Sequence, residues 1–222
     1  MSQKILKHKE AFRAPRLLLS STMSGKRVNP SAERNREPIL QVLRTTLDLG
    51  QPLKCLEIAS GSGTHVGHFS QHLPHVTWQP SDCDPENLPS LRAYTSEREN
   101  ILEPIVIDIS KTIVLDNFRP DVILCINMIH ISPWVCTLGL LANSGQLLKE
   151  GGRLITYGPY KHNGVLEPES NRQFDQSLRG MNWEWGIRDI EDIKAEAARE
   201  RLELTNLVEM PANNKMLVFT KR

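Results

Sequence analysis

The sequence predicts an α/β protein built on a doubly wound, Rossmann-like sheet of seven strands, mostly parallel, with a C-terminal antiparallel hairpin. Three observations predict this class. Apolar, strand-like runs alternate with helical stretches between residues 53 and 158, which is typical of parallel sheets. A glycine-rich turn follows the first of these runs. The last two runs are joined by "PANN", which is too short for a parallel crossover, so these strands pair antiparallel.

The individual elements follow from apolar periodicity and from start and stop signals. Pro38 is predicted to open the first helix, which ends at Gly50. Strands are predicted at residues 53–59, 76–82, 104–109, 121–129, 151–158, 202–210 and 215–222. Further helices are predicted at 64–73, over most of 85–100, after Ser132-Pro133 and after Asp189. Residues 159–188 are predicted to form an irregular, lid-like insertion.

Length, composition and charge limit the classes of function. A chain of 222 residues is long enough for one domain with a large core, and 39% hydrophobic content is typical of globular proteins. The net charge of +1 gives no reason to expect nucleic acid or a membrane as partner. The four cysteines include no C-x-x-C pair, which indicates free thiols in a reducing, cytoplasmic environment.

Residues 1–30 differ from the rest of the chain and are predicted to be a disordered or targeting tail. The segment is rich in Lys, Arg and Ser, and its single acid is Glu10. These features partly match a mitochondrial transit peptide, so a mitochondrial location is the alternative to the cytoplasm. The folded domain is predicted to span residues 31–222.

The stretch "LEIASGSGTHVGHF" (56–69) has the form of a ligand-binding turn. Gly61 and Gly63 let the backbone approach a ligand closely, and the following helix offers unpaired N–H groups. A dinucleotide site needs G-x-G-x-x-G, but Val66 stands where that pattern has its third glycine. Glu57, Ala59, Gly61 and Gly63 instead match the acid-x-Gly-x-Gly-x-Gly pattern of S-adenosylmethionine sites, with Ala in place of the first glycine. A purely structural turn is the alternative.

Polar side chains at three later strand ends support the same ligand. Asp82 ends the second strand, where an acid accepts hydrogen bonds from ribose hydroxyls. Asp108 ends the third strand, where methyltransferases bind the adenine amino group, and Asn127 ends the fourth, beside the methionine part. Each of them alone is also a common strand terminator.

Eight segments are similar, in order, to one known family: "AERNREPIL" (32–40), "EIASGSGTHVGHF" (57–69), "WQPSD" (78–82), "CINMIHISPW" (125–134), "ITYGPY" (155–160), "FDQSLR" (174–179), "WGIRD" (185–189) and "MPANNK" (210–215). They resemble the methyltransferase-like 26 family over about residues 31–222. The resemblance implies a class I methyltransferase fold, S-adenosylmethionine as cofactor, and Asn35 and Arg36 folded over the cofactor carboxylate. It implies no substrate. The stretch "RGMNWEWGIRD" departs from the charged sequence expected before the Trp-Gly pair.

Two residues are candidates for catalysis. His130 lies just beyond Asn127 and is a candidate general base; a histidine that only packs the strand-to-helix turn is the alternative. Tyr160, with Tyr157, leaves the fifth strand towards the same place and is predicted to contact the acceptor, unless its hydroxyl is tied off by packing.

The remaining histidines and two arginines give weaker indications. His65 is predicted to touch the cofactor edge, whereas His68, His72 and His75 are expected to be solvated helix residues, since no acid or cysteine completes a metal site. If Arg179 and Arg188 face inward, an anionic substrate is favoured.

Together these observations predict an S-adenosylmethionine-dependent methyltransferase that acts on a small-molecule acceptor and holds no metal. One alternative is a non-catalytic cofactor-binding or partner-binding protein on the same fold. Another is an NAD(P) oxidoreductase, which the departure from the dinucleotide pattern disfavours. Neither the acceptor nor the oligomeric state follows from the sequence.

Overall fold

A computed structural model describes residues 20–21 and 25–222 of the chain. The strands are β1 (Ser20–Ser21), β2 (Arg27–Val28), β3 (Leu53–Ile58), β4 (Val76–Asp82), β5 (Ile105–Val106), β6 (Val122–Ile126), β7 (Arg153–Gly158), β8 (Leu202–Met210) and β9 (Asn214–Lys221). The helices are α1 (Pro30–Thr46), α2 (Thr64–His72), α3 (Leu88–Thr95), α4 (Trp134–Leu147), α5 (Glu169–Met181) and α6 (Ile190–Arg199).

Seven strands form one sheet in the order β5-β4-β3-β6-β7-β9-β8. The first five are parallel, and β9 lies antiparallel between β7 and β8. The order reverses between β3 and β6, so the loops after these two strands leave the same edge side by side. Ligands of doubly wound sheets bind at such a switch point. The predicted fold class is confirmed, including its C-terminal hairpin.

Each face of the sheet carries its own core. Ile39 of α1, Phe69 of α2 and Leu91 of α3 pack on one face. Leu140 of α4 and Ile193 of α6 pack on the other. The central strand β6 is buried along its whole length, as its continuous apolar sequence requires. Both faces are therefore covered, and the carboxyl edge of the sheet positions the functional loops.

Helix α1 begins at Pro30, so the prediction that Pro38 opens it is wrong. Asn29 caps the helix, because its side-chain oxygen accepts from the backbone N–H groups of Ser31 and Ala32. Pro38 lies inside the helix and removes one backbone donor. The N-cap and the buried residues on both sides of Pro38 outweigh that loss. The helix also ends earlier than predicted, at Thr46.

Residues 159–188 are not irregular, because they contain the thirteen-residue helix α5. Its buried positions are Asn171, Asp175 and Leu178. The helix is mostly polar, and its large apolar residues, Phe174, Leu178 and Met181, recur at helical spacing but are few, so the sequence prediction overlooked it. The third predicted strand is also shorter than expected, since only Ile105 and Val106 pair with β4.

The end of the predicted tail is part of the folded structure. Arg27 belongs to β2, its backbone N–H donates to Ser90 Oγ at 2.8 Å, and its guanidinium donates to Asn87 Oδ1 at 2.7 Å. The rest of the tail prediction falls on residues 1–19 and 22–24, which lie outside the described residues. Within the described ranges, no helix combines the length and apolarity needed to cross a bilayer.

Candidate functional site

The glycine turn leaves β3 in the left-handed backbone region. Ala59, Gly61 and Gly63 have φ values of 57°, 57° and 86°. A Cβ on Gly61 would meet nothing within 4 Å, whereas one on Gly63 would lie 2.8 Å from the Tyr94 ring. Gly63 therefore permits close packing of α2 on α3. The backbone at Gly61 faces open space, where a ligand can approach it.

Asp82 connects the end of β4 to this turn. Its Oδ2 accepts from the backbone N–H of Gly61 at 2.8 Å, and its Oδ1 accepts from that of Asp84 at 2.9 Å. The side chain is buried. Each carboxylate oxygen keeps a second acceptor position, so Asp82 fixes the turn and can still accept from a ligand hydroxyl.

Glu57 lies below the turn with an unpaired carboxylate oxygen. The residue is 1% exposed, and Oε2 has no hydrogen-bond partner. Burial raises the pKa of Glu57 to about 7, the hydrogen bond from Ser60 lowers it, and the charge of Asp82 raises it further. A buried acceptor without a donor is costly, so a donor group brought by a ligand would be stabilised here.

The buried His65 and the partly buried Asn35 form a pair between α2 and α1. His65 Nε2 lies 2.7 Å from Asn35 Oδ1, and the imidazole stacks on Phe69. Burial lowers the pKa of His65 to about 3, and the charges of His68 and Arg36 lower it further. The neutral imidazole thus donates to Asn35. Burial raises the pKa of Tyr157, and the Asn35 side chain, which interacts with it, lowers that pKa; these residues thus lie together where α1, α2 and β7 meet.

Asn127 and His130 converge over the end of β7. A Cβ on Gly158 would lie 3.2 Å from His130 Nδ1 and 3.8 Å from Asn127 Oδ1. Asn127 has a φ of 57°, a left-handed conformation that Asn adopts more easily than most residues. His130 is buried, and burial lowers its pKa to about 4, with the charge of Arg188 as the second cause. Its imidazole is neutral at physiological pH and able to accept a proton.

Asp108 stands apart from these groups. It is exposed, its Oδ1 accepts from Ser110, and its Oδ2 lies 2.9 Å from Lys111 Nζ. The Ser110 hydroxyl is the main cause that lowers its pKa. These contacts are those of a turn residue, and an additional ligand contact of Asp108 stays a prediction.

Tyr160 is a core residue, which corrects its prediction as a catalytic residue. It is 3% exposed, packs in the cluster that contains Ile129 and Ile190, and donates its hydroxyl to Thr156 Oγ1 at 2.8 Å. Burial raises the pKa of its phenol well above the usual value. Tyr160 therefore fits the alternative interpretation, in which the side chain packs in the core and its hydroxyl is bound within the protein.

The two arginines considered for an anionic substrate have protein partners. Arg179 Nε lies 2.9 Å from Asp175 Oδ2. Arg188 donates to the backbone oxygens of Ser132 at 2.9 Å and Glu184 at 2.5 Å. These bonds hold the segment after α5 in place, but Arg188 Nε is buried without a hydrogen-bond partner, so an anionic substrate at Arg188 stays a prediction.

Sequence reasoning did not identify Gly158 and Phe174 as members of the site. The Phe174 ring lies edge-to-face to the His130 imidazole, with centroids 5.6 Å apart. Gly158 lets the His130 imidazole pack closely on the end of β7, where even a Cβ would lie only 3.2 Å from Nδ1. "FDQSLR" and "ITYGPY" were noticed only as parts of a resemblance, because no motif links such residues to a distant histidine.

A family model described as "Protein of unknown function (DUF938)" matches residues 26–221. Among solved structures, an O-methyltransferase family 2 protein from Planctomyces limnophilus in complex with apigenin has a TM-score of 0.68 at 22% identity and covers 86% of this chain and 60% of its own. Human N-acetylserotonin methyltransferase in complex with S-adenosylmethionine has a TM-score of 0.71 at 15% identity. The match covers 86% of this chain and 52% of that protein.

An O-methyltransferase family protein from Burkholderia thailandensis has a TM-score of 0.72 at 14% identity, and the match covers 86% of this chain and 57% of that protein. The chain thus spans 52% to 60% of the length of these three proteins. At this level of identity the likeness shows a methyltransferase-like fold.

Proposed function

The chain belongs to the DUF938 family, proteins of unknown function, and we propose that it is an S-adenosylmethionine-dependent methyltransferase acting on a small molecule. The carboxylate of Asp82 bound to the N–H of Gly61 carries the proposal. This contact joins an acid at the end of β4 to the open glycine turn at the end of the neighbouring strand β3. Such an arrangement accepts ribose hydroxyls beside a backbone that a ligand can approach.

The residues at the turn fit the cofactor in chemical terms. Asp82 would accept from the ribose hydroxyls, and the open backbone at Gly61 would lie against the nucleoside. Glu57, with its unpaired oxygen, would attract the ammonium group of the methionine part. Asn35 and His65 would border the same end, as the family resemblance implies.

When bound, S-adenosylmethionine would supply a methyl carbon carried on a sulfonium. A lone pair of the acceptor would form a bond to that carbon while the electron pair of the carbon–sulfur bond stays on sulfur, so that S-adenosylhomocysteine would remain. The chain has to orient the acceptor, exclude water and take a proton. Neutral His130 takes that proton, and Asn127 beside it orients the acceptor through its amide.

Family, partner and location are further parts of the proposal. The eight quoted segments support membership of the methyltransferase-like 26 family. Neighbouring structures hold apigenin or S-adenosylmethionine, which supports small molecules as ligands. Cysteines 55, 83, 125 and 136 form no disulfide with one another in the described part of the chain, which supports a reducing, cytoplasmic environment.

Calorimetric titration with S-adenosylhomocysteine tests the cofactor assignment. We expect saturable binding with a Kd between about 1 µM and 1 mM, the usual range of enzyme KM values, and no binding of NAD(H). Absence of heat at millimolar nucleoside, or tight binding of NAD(H), would overturn the proposal.

Transfer of a labelled methyl group then separates an enzyme from a binder. The full chain is incubated with labelled S-adenosylmethionine and a metabolite extract, beside His130→Gln. A labelled small molecule formed only by the wild type supports catalysis through His130. Tight cofactor binding without any labelled product would point to the non-catalytic alternative.

A further inference from the structure

Arg188 reaches from the segment after α5 to the loop after β6. Its Nη2 donates to the backbone oxygen of Ser132 at 2.9 Å and to that of Glu184 at 2.5 Å. Two residues before it, the Gly186 N–H donates to the backbone oxygen of His130 at 3.0 Å. Arg188 is therefore anchored beside the loop that carries the candidate base.

The positive charge of Arg188 also acts on the imidazole of that base. After burial, this charge is the second cause that lowers the pKa of His130. Because the interaction between charges weakens with distance, the guanidinium and the imidazole border the same part of the site. A molecule that presents its reacting atom to His130 can therefore reach Arg188 with another group.

The described part of the chain gives this cation no close counter-ion. No carboxylate oxygen of the described residues lies within 4.0 Å of the Arg188 nitrogens, and both of its hydrogen-bond acceptors are backbone oxygens. Nε is buried without a partner, and burial is the main cause that lowers the pKa of Arg188. A cation that has lost part of its hydration is stabilised by an anion brought from outside the chain.

One nitrogen of the guanidinium stays open to such an anion. Nη2 makes both of the hydrogen bonds, and Nε is buried. Nη1 is bonded to none of the described residues and is not buried, and Arg188 as a whole is half-buried. An oxygen of a ligand can thus accept from Nη1 without displacing either backbone oxygen.

Neighbouring acids limit the charge of the ligand. Asp175 lies 2.9 Å from Arg179 and neutralises it. Glu184 is exposed, and its charge acts on Arg188 without an ion pair. Of the two arginines, only Arg188 thus lacks a close counter-ion. A group with one negative charge would neutralise it, whereas a second negative charge would be repelled by both acids.

We infer that Arg188 binds a carboxylate of the methyl acceptor, while a different atom of the same molecule faces His130. The inference rests on the proposed function and names its substrate class, small carboxylic acids. The carboxylate keeps its charge, is not methylated and orients the acceptor. The reacting atom gives its proton to His130 and forms the bond to the methyl carbon with its lone pair, and the carbon–sulfur electron pair stays on sulfur.

Two small probes of similar shape test the inference on the full chain saturated with S-adenosylhomocysteine. Propionate carries the carboxylate, and propionamide replaces it with an uncharged amide. Titrations followed by heteronuclear NMR of the labelled chain give both affinities. The Nε–H signal of Arg188, assigned by its loss in Arg188→Lys, reports the place of binding. We expect propionate to shift this signal and to bind at least about tenfold more tightly than propionamide, because hydrogen bonds to charged groups are stronger.

Substitutions of two arginines locate the contact. Arg188→Gln should abolish the preference for propionate, and Arg188→Lys, which keeps the charge but not the guanidinium, should retain part of it. Arg199→Gln is the matched control, because it removes an α6 cation whose side chain is 72% exposed and paired with Glu196. It should keep the full preference. The Kd of S-adenosylhomocysteine, measured by calorimetry, should stay within about twofold in all three.

Either of two outcomes would overturn the inference: equal binding of the two probes by the wild type, or a preference for propionate that Arg188→Gln keeps. Both outcomes, with S-adenosylhomocysteine still bound, leave the cofactor assignment intact. Failure of S-adenosylhomocysteine to bind the wild type contradicts the proposed function itself. The comparison of the probes needs only the wild type, so it decides the question even if Arg188→Gln does not fold.

Discussion

At the scale of single residues, the site depends on acids that differ in their partners. Asp82 is buried but accepts from two backbone N–H groups. Glu57 is buried with one oxygen unpaired, and its pKa is raised to about 7. The first acid is arranged to hold a loop. The second is arranged to respond to a donor or to a change in pH.

Replacing Asp82 with Ala should weaken S-adenosylhomocysteine binding about 10- to 100-fold, because hydrogen bonds to a charged group contribute about 1.5–3 kcal/mol. The turn also loses the acceptor for the Gly61 N–H. Calorimetry gives the Kd. Asp84→Ala is the control: Asp84 caps only the short helical turn at 85–87 through Glu86. Equal affinities of the wild type and Asp82→Ala would refute the ribose assignment.

Replacing Glu57 with Gln should flatten the dependence of stability on pH. A carboxyl group with a raised folded-state pKa stabilises the fold below its unfolded pKa of 4.5 and loses that contribution as the pH rises through about 7. Between pH 5 and 8 the wild type should lose about 2 kcal/mol from this group. Denaturant unfolding at the two pH values measures the difference, and an equal loss in Glu57→Gln would contradict it.

At the scale of elements, glycines decide how closely helices approach their neighbours. Gly139 of α4 lies against the backbone oxygen of Ile109, and a Cβ would overlap it. Gly180 of α5 has nothing within 4 Å of its potential Cβ. The same substitution should therefore have opposite effects at the two positions.

Gly139→Ala should destabilise the chain by about 1–3 kcal/mol, the usual cost of overpacking, because a backbone atom cannot rotate away. Gly180→Ala should stabilise it by about 0.5–1 kcal/mol through helix propensity. Thermal and denaturant melts of both variants provide the comparison. If Gly139→Ala left the stability unchanged, α4 would be able to move away from the loop at Ile109.

At the scale of the whole molecule, the sequence predicted the sheet better than the site. Strand alternation and the short C-terminal turn are local signals, and they predicted seven strands and the antiparallel hairpin; the order of the strands in the sheet is seen only in the structure. Helix α5 was not predicted because most of its residues are polar, including the buried Asn171 and Asp175, although Phe174, Leu178 and Met181 recur at helical spacing. The start of α1 was missed because Pro38 looks like an N-terminal signal although the cap is Asn29.

Contacts across the fold explain the remaining differences at the site. A sequence shows that Tyr160 and Phe174 are aromatic, but only the tertiary structure shows that Tyr160 bonds Thr156 and that Phe174 contacts His130. The sequence also does not show that Arg179 pairs with Asp175 whereas Arg188 bonds only backbone oxygens. Glycine spacing and the strand-end acid drew attention to Gly61 and Asp82 separately, but only the tertiary structure shows that the Asp82 carboxylate accepts from the Gly61 N–H.

The central claim is that the adenosyl cofactor binds at the carboxyl edge of the sheet, and hydrogen–deuterium exchange with and without S-adenosylhomocysteine tests it most directly. The account predicts slower exchange in residues 59–65, 82–84 and 127–130, with little change elsewhere. A different surface groove of about 340 Å³ is lined by Ser110, Gly139 and Glu196. Protection confined to that groove, or no protection at saturating nucleoside, would contradict the claim.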